Sequence, residues 1–190
     1  MYVYLFSSKL IFMFTRLRLP GIGIGMLLAL LPGCTSDPEA TMVKKEGYRP
    51  IYMPYEQMRQ LATTSPKPLE QAGKIYVSGN YVFVNEINKG IHIINNQNPA
   101  NPQPVSFISV PGNVDIAVKG NVLYADNAVD LLALDISNPI DVKLLKRIEN
   151  AFPNQVFPPH TGVNFECADP AKGVIVGWEK VELENPKCFR

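Results

Sequence analysis

The chain has few of the residues that usually carry chemistry. It holds two histidines, three cysteines and one tryptophan in 190 residues, and its formal net charge is +1. His92 and His160 stand alone, without the short spacings of a ligand set, so no metal is expected. There is no Gly-x-Ser-x-Gly elbow, no Cys–His pairing and no defined acid/base pair, which leaves no residue to assign to catalysis and no cofactor to expect. Without a basic patch, nucleic acid is not an expected partner. Asp115, Asp126 and Asp130 share one stretch, yet their spacing matches no EF-hand calcium loop. The apolar run from Gly21 to Leu31 is well short of the about 20 residues that a spanning helix needs.

What is present begins with an address. Residues 1–33 carry Lys9, Arg16 and Arg18 and no acid, and the run "GIGIGMLLALL" follows the arginines. A positive start, a short apolar stretch and small residues read as a secretory signal. Met13 would serve equally well as the start, because "MFTRLRLP" is already a sufficient basic segment. Glycines 21, 23 and 25 would suggest a phosphate loop only between a strand and a helix of a folded domain.

The segment ends in "LPGC", which resembles the lipobox of bacterial lipoproteins. Leu31 lies three residues before the cysteine, Gly33 lies immediately before it, and Cys34 takes the modified position; Pro32 departs from the usual small residue. The resemblance implies a diacylglyceryl thioether on Cys34, cleavage before it and acylation of the new amino terminus. The expected partner is then a membrane, reached through the lipid. The expected location is the cell envelope, as an outer-membrane lipoprotein facing the periplasm or the surface. More than one acyl chain holds stably, at about 0.8 kcal/mol per buried CH₂. Cys167 and Cys188 remain, and outside the cytoplasm an even pair reads as a disulfide.

Residues 34–47, including "TSDPEATMVKKE", lack apolar periodicity and read as a flexible tether. Residues 48–73 read as a short helix over 54–62 and an extended connector. Pro54 suits the start of the helix, Met58 and Leu61 are three apart, and Pro66 and Pro68 prevent its continuation. From Lys74 the chain repeats itself. "KIYVSGNYVFVNE" matches "DIAVKGNVLYADN", and "IHIINNQNPANPQPV" matches "LLALDISNPIDVKLL". Each unit offers a strand, a Gly-Asn turn, a second strand, a loop, a third strand ending in Asn-Pro, and a fourth strand. Residues 74–150 therefore read as two repeats of four antiparallel strands, the unit of a propeller blade. Residues 151–190 read as an insertion followed by a partial third copy, "KGVIVGWEKVELENP", which stops before a fourth strand.

These units resemble the LVIVD-repeat family, carried here by "YVFVNEINKGIHIINNQNPANP" and "VLYADNAVDLLALDISNPIDV". The resemblance implies an all-β, propeller-like architecture and no established enzymatic activity. The expected fold is two four-stranded blades, a partial third and a short N-terminal helix. The expected role is non-catalytic binding or scaffolding of a protein or glycan partner, the alternative being an envelope hydrolase that uses acidic loop residues. The incomplete third copy is expected either to pair back on the preceding sheet or to assemble with another chain through its open edge.

Asp126 and Asp135 in the second copy stand where the first has Asn85 and Asn95, so the shared feature is an acceptor for a turn and not a carboxylate. His92, inside an apolar strand, reads as a packed or edge residue. His160 lies in the loop "FPPHTG", where function more often resides. Trp178, with Phe157 and Phe165, offers a stacking surface, although the same rings suit a small core. His160 and Trp178 are therefore the binding candidates.

Overall fold

A computed structural model describes residues 42–190. The signal segment, Cys34 and the first part of the tether lie outside the described residues. The described chain opens with strand β1 (Lys44–Met53), one turn of helix α1 (Tyr55–Met58) and a short strand β2 (Ala62–Thr64). The first repeat supplies β3 (Ala72–Ser78), β4 (Tyr81–Glu86), β5 (Gly90–Asn95) and β6 (Gln103–Ser109). The second supplies β7 (Ile116–Lys119), β8 (Val122–Asn127), β9 (Asp130–Asp135) and β10 (Lys143–Ile148). Then come β11 (Asn164–Phe165), a 3₁₀ turn at Pro170–Lys172, β12 (Val174–Glu184) and β13 (Cys188–Phe189).

Each repeat is one antiparallel meander, and the fold is all-β. The first sheet runs β2-β6-β5-β4-β3 and the second β10-β9-β8-β7. Gly79-Asn80 and Gly120-Asn121 form two-residue turns, with Ser78 opposite Tyr81 and Lys119 opposite Val122. Both glycines have positive φ, +56° and +60°, which a first central residue of this turn requires. At the other end, Asn95 Oδ1 accepts the Gln97 N–H and Asp135 Oδ1 accepts the Ser137 N–H, each at 2.9 Å. Asn98 and Asn138 accept in the same way from Ala100 and Ile140. In these turns amide and carboxylate are interchangeable because only the acceptor is used.

One apolar core joins the two blades. Phe83, Ile91, Ile93 and Ile108 of the first pack with Ile116, Leu123, Leu132 and Leu134 of the second. Burying such a side chain contributes about 1.5–3 kcal/mol, so this interface dominates the attachment of blade to blade.

Three expectations change. The tether read over 34–47 ends at Val43, because Lys44–Met53 is a strand. The polar start of the strand, Lys44 to Gly47, hid this: it is held by ladder pairing with β12 from Lys44↔Glu184 to Met53↔Val174. The helix read over 54–62 is a single turn. Pro54 caps it, and Ala62–Thr64 leaves to pair with β6, giving the first blade a fifth strand. The third copy is no hairpin. Val174–Glu184 is one strand where a partial copy requires two strands and a loop, and it pairs with β1 instead of with the preceding blade. The third sheet, β12-β1-β11-β13, is thus built from segments on both sides of the repeats. Cys167 and Cys188 are joined by a disulfide with Cα atoms 5.4 Å apart, tying β13 to the segment after β11.

Candidate binding site

The three sheets and the insertion meet around a cavity of about 550 Å³. The β4–β5 turn contributes Ile87 and Asn88, the second blade contributes Val114 and Asp126, β1 contributes Tyr48, and β12 contributes Ile175 to Trp178 and Lys180. The insertion closes one side with Gln155, Pro159 and His160. The two binding candidates, His160 from the insertion and Trp178 from β12, therefore line one cavity.

Each is held from behind. The His160 ring stacks on Tyr48 at 5.2 Å with a tilt of 38°. Trp178 stands opposite Pro50 on β1 and meets the buried Phe165 edge-to-face at 5.7 Å; Phe165 in turn meets Phe157 at 6.0 Å. Trp178 thus packs a small aromatic core and also borders the cavity. Its indole N–H is closed off from solvent and has no acceptor among the described residues. A buried donor left unmade costs roughly 1–3 kcal/mol, a cost the packing of this aromatic cluster has to offset.

Asp126 sits at the junction of the repeats. Its Oδ1 accepts the backbone N–H groups of Val114 (3.0 Å) and Asp115 (2.8 Å) and the Asn113 side-chain amide (2.7 Å). Asn113 is fully buried and accepts from Asn85 Nδ2 at 2.6 Å, so Asn85, Asn113 and Asp126 form one line of amide and carboxylate across both blades. Burial pushes the Asp126 carboxyl above the ordinary Asp value, and its hydrogen bonds offset this only in part. The equivalent Asn85 leaves its Oδ1 buried and unbonded, facing Gly73, where a Cβ would come within 2.1 Å of it.

The other acids disperse. Asp115 pairs with Lys74 at 2.7 Å. Asp130 is fully buried and takes Arg59 Nε and Arg147 Nη1, both at 2.9 Å, with the Asn150 N–H also at 2.9 Å. Among the described residues, no three His, Cys, Asp or Glu side chains converge to hold a metal. His92 lies away from this cavity, buried in β5 against Phe107.

A family model for the LVIVD repeat matches residues 71–107 and 111–148. The chain carries two LVIVD repeats. No curated protein and no solved structure matches the chain. The LVIVD segments coincide with β3–β6 and β7–β10, so the repeats account for two sheets and the Asp126 side of the cavity. Tyr48, His160, Trp178 and Lys180 lie outside them. Sequence reasoning missed Tyr48 and Lys180, the first because it sits in a stretch without periodicity. The 3₁₀ and strand signals around Gly173 gave no hint that β12 returns to β1.

Proposed function

We propose that this protein is a lipid-anchored module of the cell envelope, held at the outer membrane through acyl groups on Cys34, which binds a protein or glycan partner without chemical conversion. The anchor rests on the basic and apolar segment ending in "LPGC". The Cys167–Cys188 bond agrees with an oxidising compartment. The observation that carries the binding role is the cavity itself, which brings Trp178, His160, Tyr48 and the Asp126 carboxyl together from three sheets and the insertion. Rings flanked by hydrogen-bonding groups suit the alternating apolar faces and hydroxyls of a sugar, or a polar loop with one aromatic side chain.

The alternative reading is an envelope hydrolase using acidic loop residues. A glycosidase needs two carboxyl groups facing each other across a cleft, about 5–5.5 Å or 6.5–9.5 Å apart. Asp126 is the one carboxylate bordering this cavity among the described residues, and its Oδ1 is fully engaged in holding the chain. That arrangement favours binding.

Two measurements test the proposal. Replacing Cys34 by Ser should move the protein from the detergent phase to the aqueous phase; unchanged partitioning removes the anchor. The chain has a single tryptophan, so Trp178 emission reports directly on the cavity. Titration with envelope glycan fragments should shift that emission, and His160→Ala should weaken the response. If neither glycan fragments nor partners isolated from the envelope perturb Trp178, the cavity is not the binding site.

A further inference from the structure

A second cleft lies in the first blade, of about 470 Å³, between the central strands β4, β5 and β6 and the connector 65–71. At its base are two titratable groups that fold and repeat do not require: Glu86, 3% exposed, and His92, 5% exposed, with Glu86 Oε2 3.1 Å from His92 Nε2. Glu86 also accepts the backbone N–H of Gln71 at 2.6 Å and of Glu70 at 3.1 Å. Burial pushes its carboxyl up, but those two N–H groups and His92 more than compensate, leaving it below the ordinary Glu value. A carboxylate only accepts, so His92 must donate through Nε2. The other ring nitrogen, Nδ1, has no partner among the described residues.

The remaining lining decides the chemistry. Glu70 is engaged by Lys89 at 2.5 Å, so both carboxylates of the cleft are matched by donors. Lys67 has no carboxylate partner among the described residues; its ammonium sits over the Phe107 ring, 4.6 Å from the centroid. Phe107 also meets His92 edge-on at 4.8 Å. Met53, Pro68 and Pro111 complete apolar walls. Among the charged and titratable groups lining this slot, the uncommitted ones are therefore one ammonium and one imidazole nitrogen; the Asn88 amide and the Ser109 hydroxyl add neutral polar groups.

We propose that this cleft is a ligand site for a small organic acid, with its apolar body against Phe107 and Met53 and its carboxyl group between Lys67 and His92 Nδ1. The ammonium donates to one carboxyl oxygen. Since Nε2–H is committed to Glu86, the second oxygen meets Nδ1 with uptake of one proton from water, which then lies between the two. A cationic ligand meets Lys67 and finds no free carboxylate. The proposal is independent of the cavity around Trp178, although Asn88 borders both.

The test is calorimetric titration of the purified full-length protein with benzoate, benzamide and benzylamine. An acid of this size in a partly open slot should bind with a Kd on the order of a millimolar. Benzamide and benzylamine should bind at least about tenfold more weakly, since a charge-assisted hydrogen bond is lost. Lys67→Gln, on an exposed connector, should weaken benzoate by about tenfold, while Trp178→Phe should leave it unchanged and benzoate should not alter Trp178 emission. Absence of benzoate binding at concentrations of roughly tens of millimolar, equal binding of benzylamine, or unaltered affinity in Lys67→Gln overturns the proposal.

Discussion

The two blades share a backbone and differ at one slot. The cross-strand pair His92↔Phe107 in the first becomes Leu132↔Arg147 in the second, and the turn pair Glu86↔Gly90 becomes Asn127↔Asp130. In the second blade the slot is sealed. Arg147 reaches Asn127 Oδ1 at 2.7 Å and Asp130 at 2.9 Å, while Arg59, following α1, adds a second guanidinium to Asp130. In the first blade a histidine and a phenylalanine stand in place of leucine and arginine, and the slot remains a cleft. Packing differs with the side chains: Leu132 enters the core shared by the two blades, whereas its counterpart His92 lies outside it.

The sealed slot should be the more costly to break. Removing one member of a buried ion-pair network leaves the partners charged and desolvated, at about 3–5 kcal/mol. Asp130→Ala leaves the buried Arg147 without a carboxylate, leaves Arg59 with Glu149 alone, and removes the acceptor of the Asn150 N–H. Urea unfolding should show a loss of that size, and a loss under about 1 kcal/mol would mean that the second blade is not held by this network.

The open slot should be milder. Glu86→Gln keeps an acceptor for the connector N–H groups and removes the charge opposite His92, so the expected cost at neutral pH is about 1–3 kcal/mol. The pH dependence separates charge from shape. The folded-state pKa of Glu86 is depressed, so its stabilising contribution is present above the ordinary Glu value and is lost as pH falls through the lower folded value. The gap between wild type and Glu86→Gln should therefore close in acid. A gap that stays constant down to the acid limit would place the whole effect in packing.

The repeats were readable because their information is local: Gly-Asn at a turn needing positive φ, Asn-Pro where a side-chain acceptor starts a bend, and apolar alternation between them. The third sheet was not readable for the opposite reason. Lys44–Met53 and Val174–Glu184 are partners across the whole described chain, and neither carries a periodic pattern that names the other. Gly177 reads as a turn signal, yet it stands in a continuous strand beside the Asn88 side chain, where a Cβ would lie 3.1 Å from Asn88 Nδ2. His160 is marked by its loop and Trp178 by its ring; that they share a cavity follows from the β1–β12 pairing. Glu86 was hidden because the matching residue of the second repeat is Asn127, an amide with a different task.

The smallest effect is expected at Asp126, whose counterpart Asn85 donates to Asn113 and leaves its own Oδ1 unbonded. Asp126→Asn places in the second blade the residue that the first already has. Oδ1 of the new amide can keep the bonds from Val114, Asp115 and Asn113, so the change in stability at neutral pH should stay within about 1 kcal/mol. Its sign should depend on pH, oppositely to Glu86. Burial raises the folded-state pKa of Asp126, so wild type is favoured while the group is protonated and loses stability as pH rises from the ordinary Asp value through the raised one. Asp126→Asn does not titrate and escapes that loss. Urea midpoints from about pH 3 to about pH 7 should therefore show the variant gaining on wild type as pH rises. A difference that is flat with pH would mean that the Asp126 carboxylate is fully compensated in the fold. The line from Asn85 through Asn113 would then tolerate a charge at its end as readily as an amide.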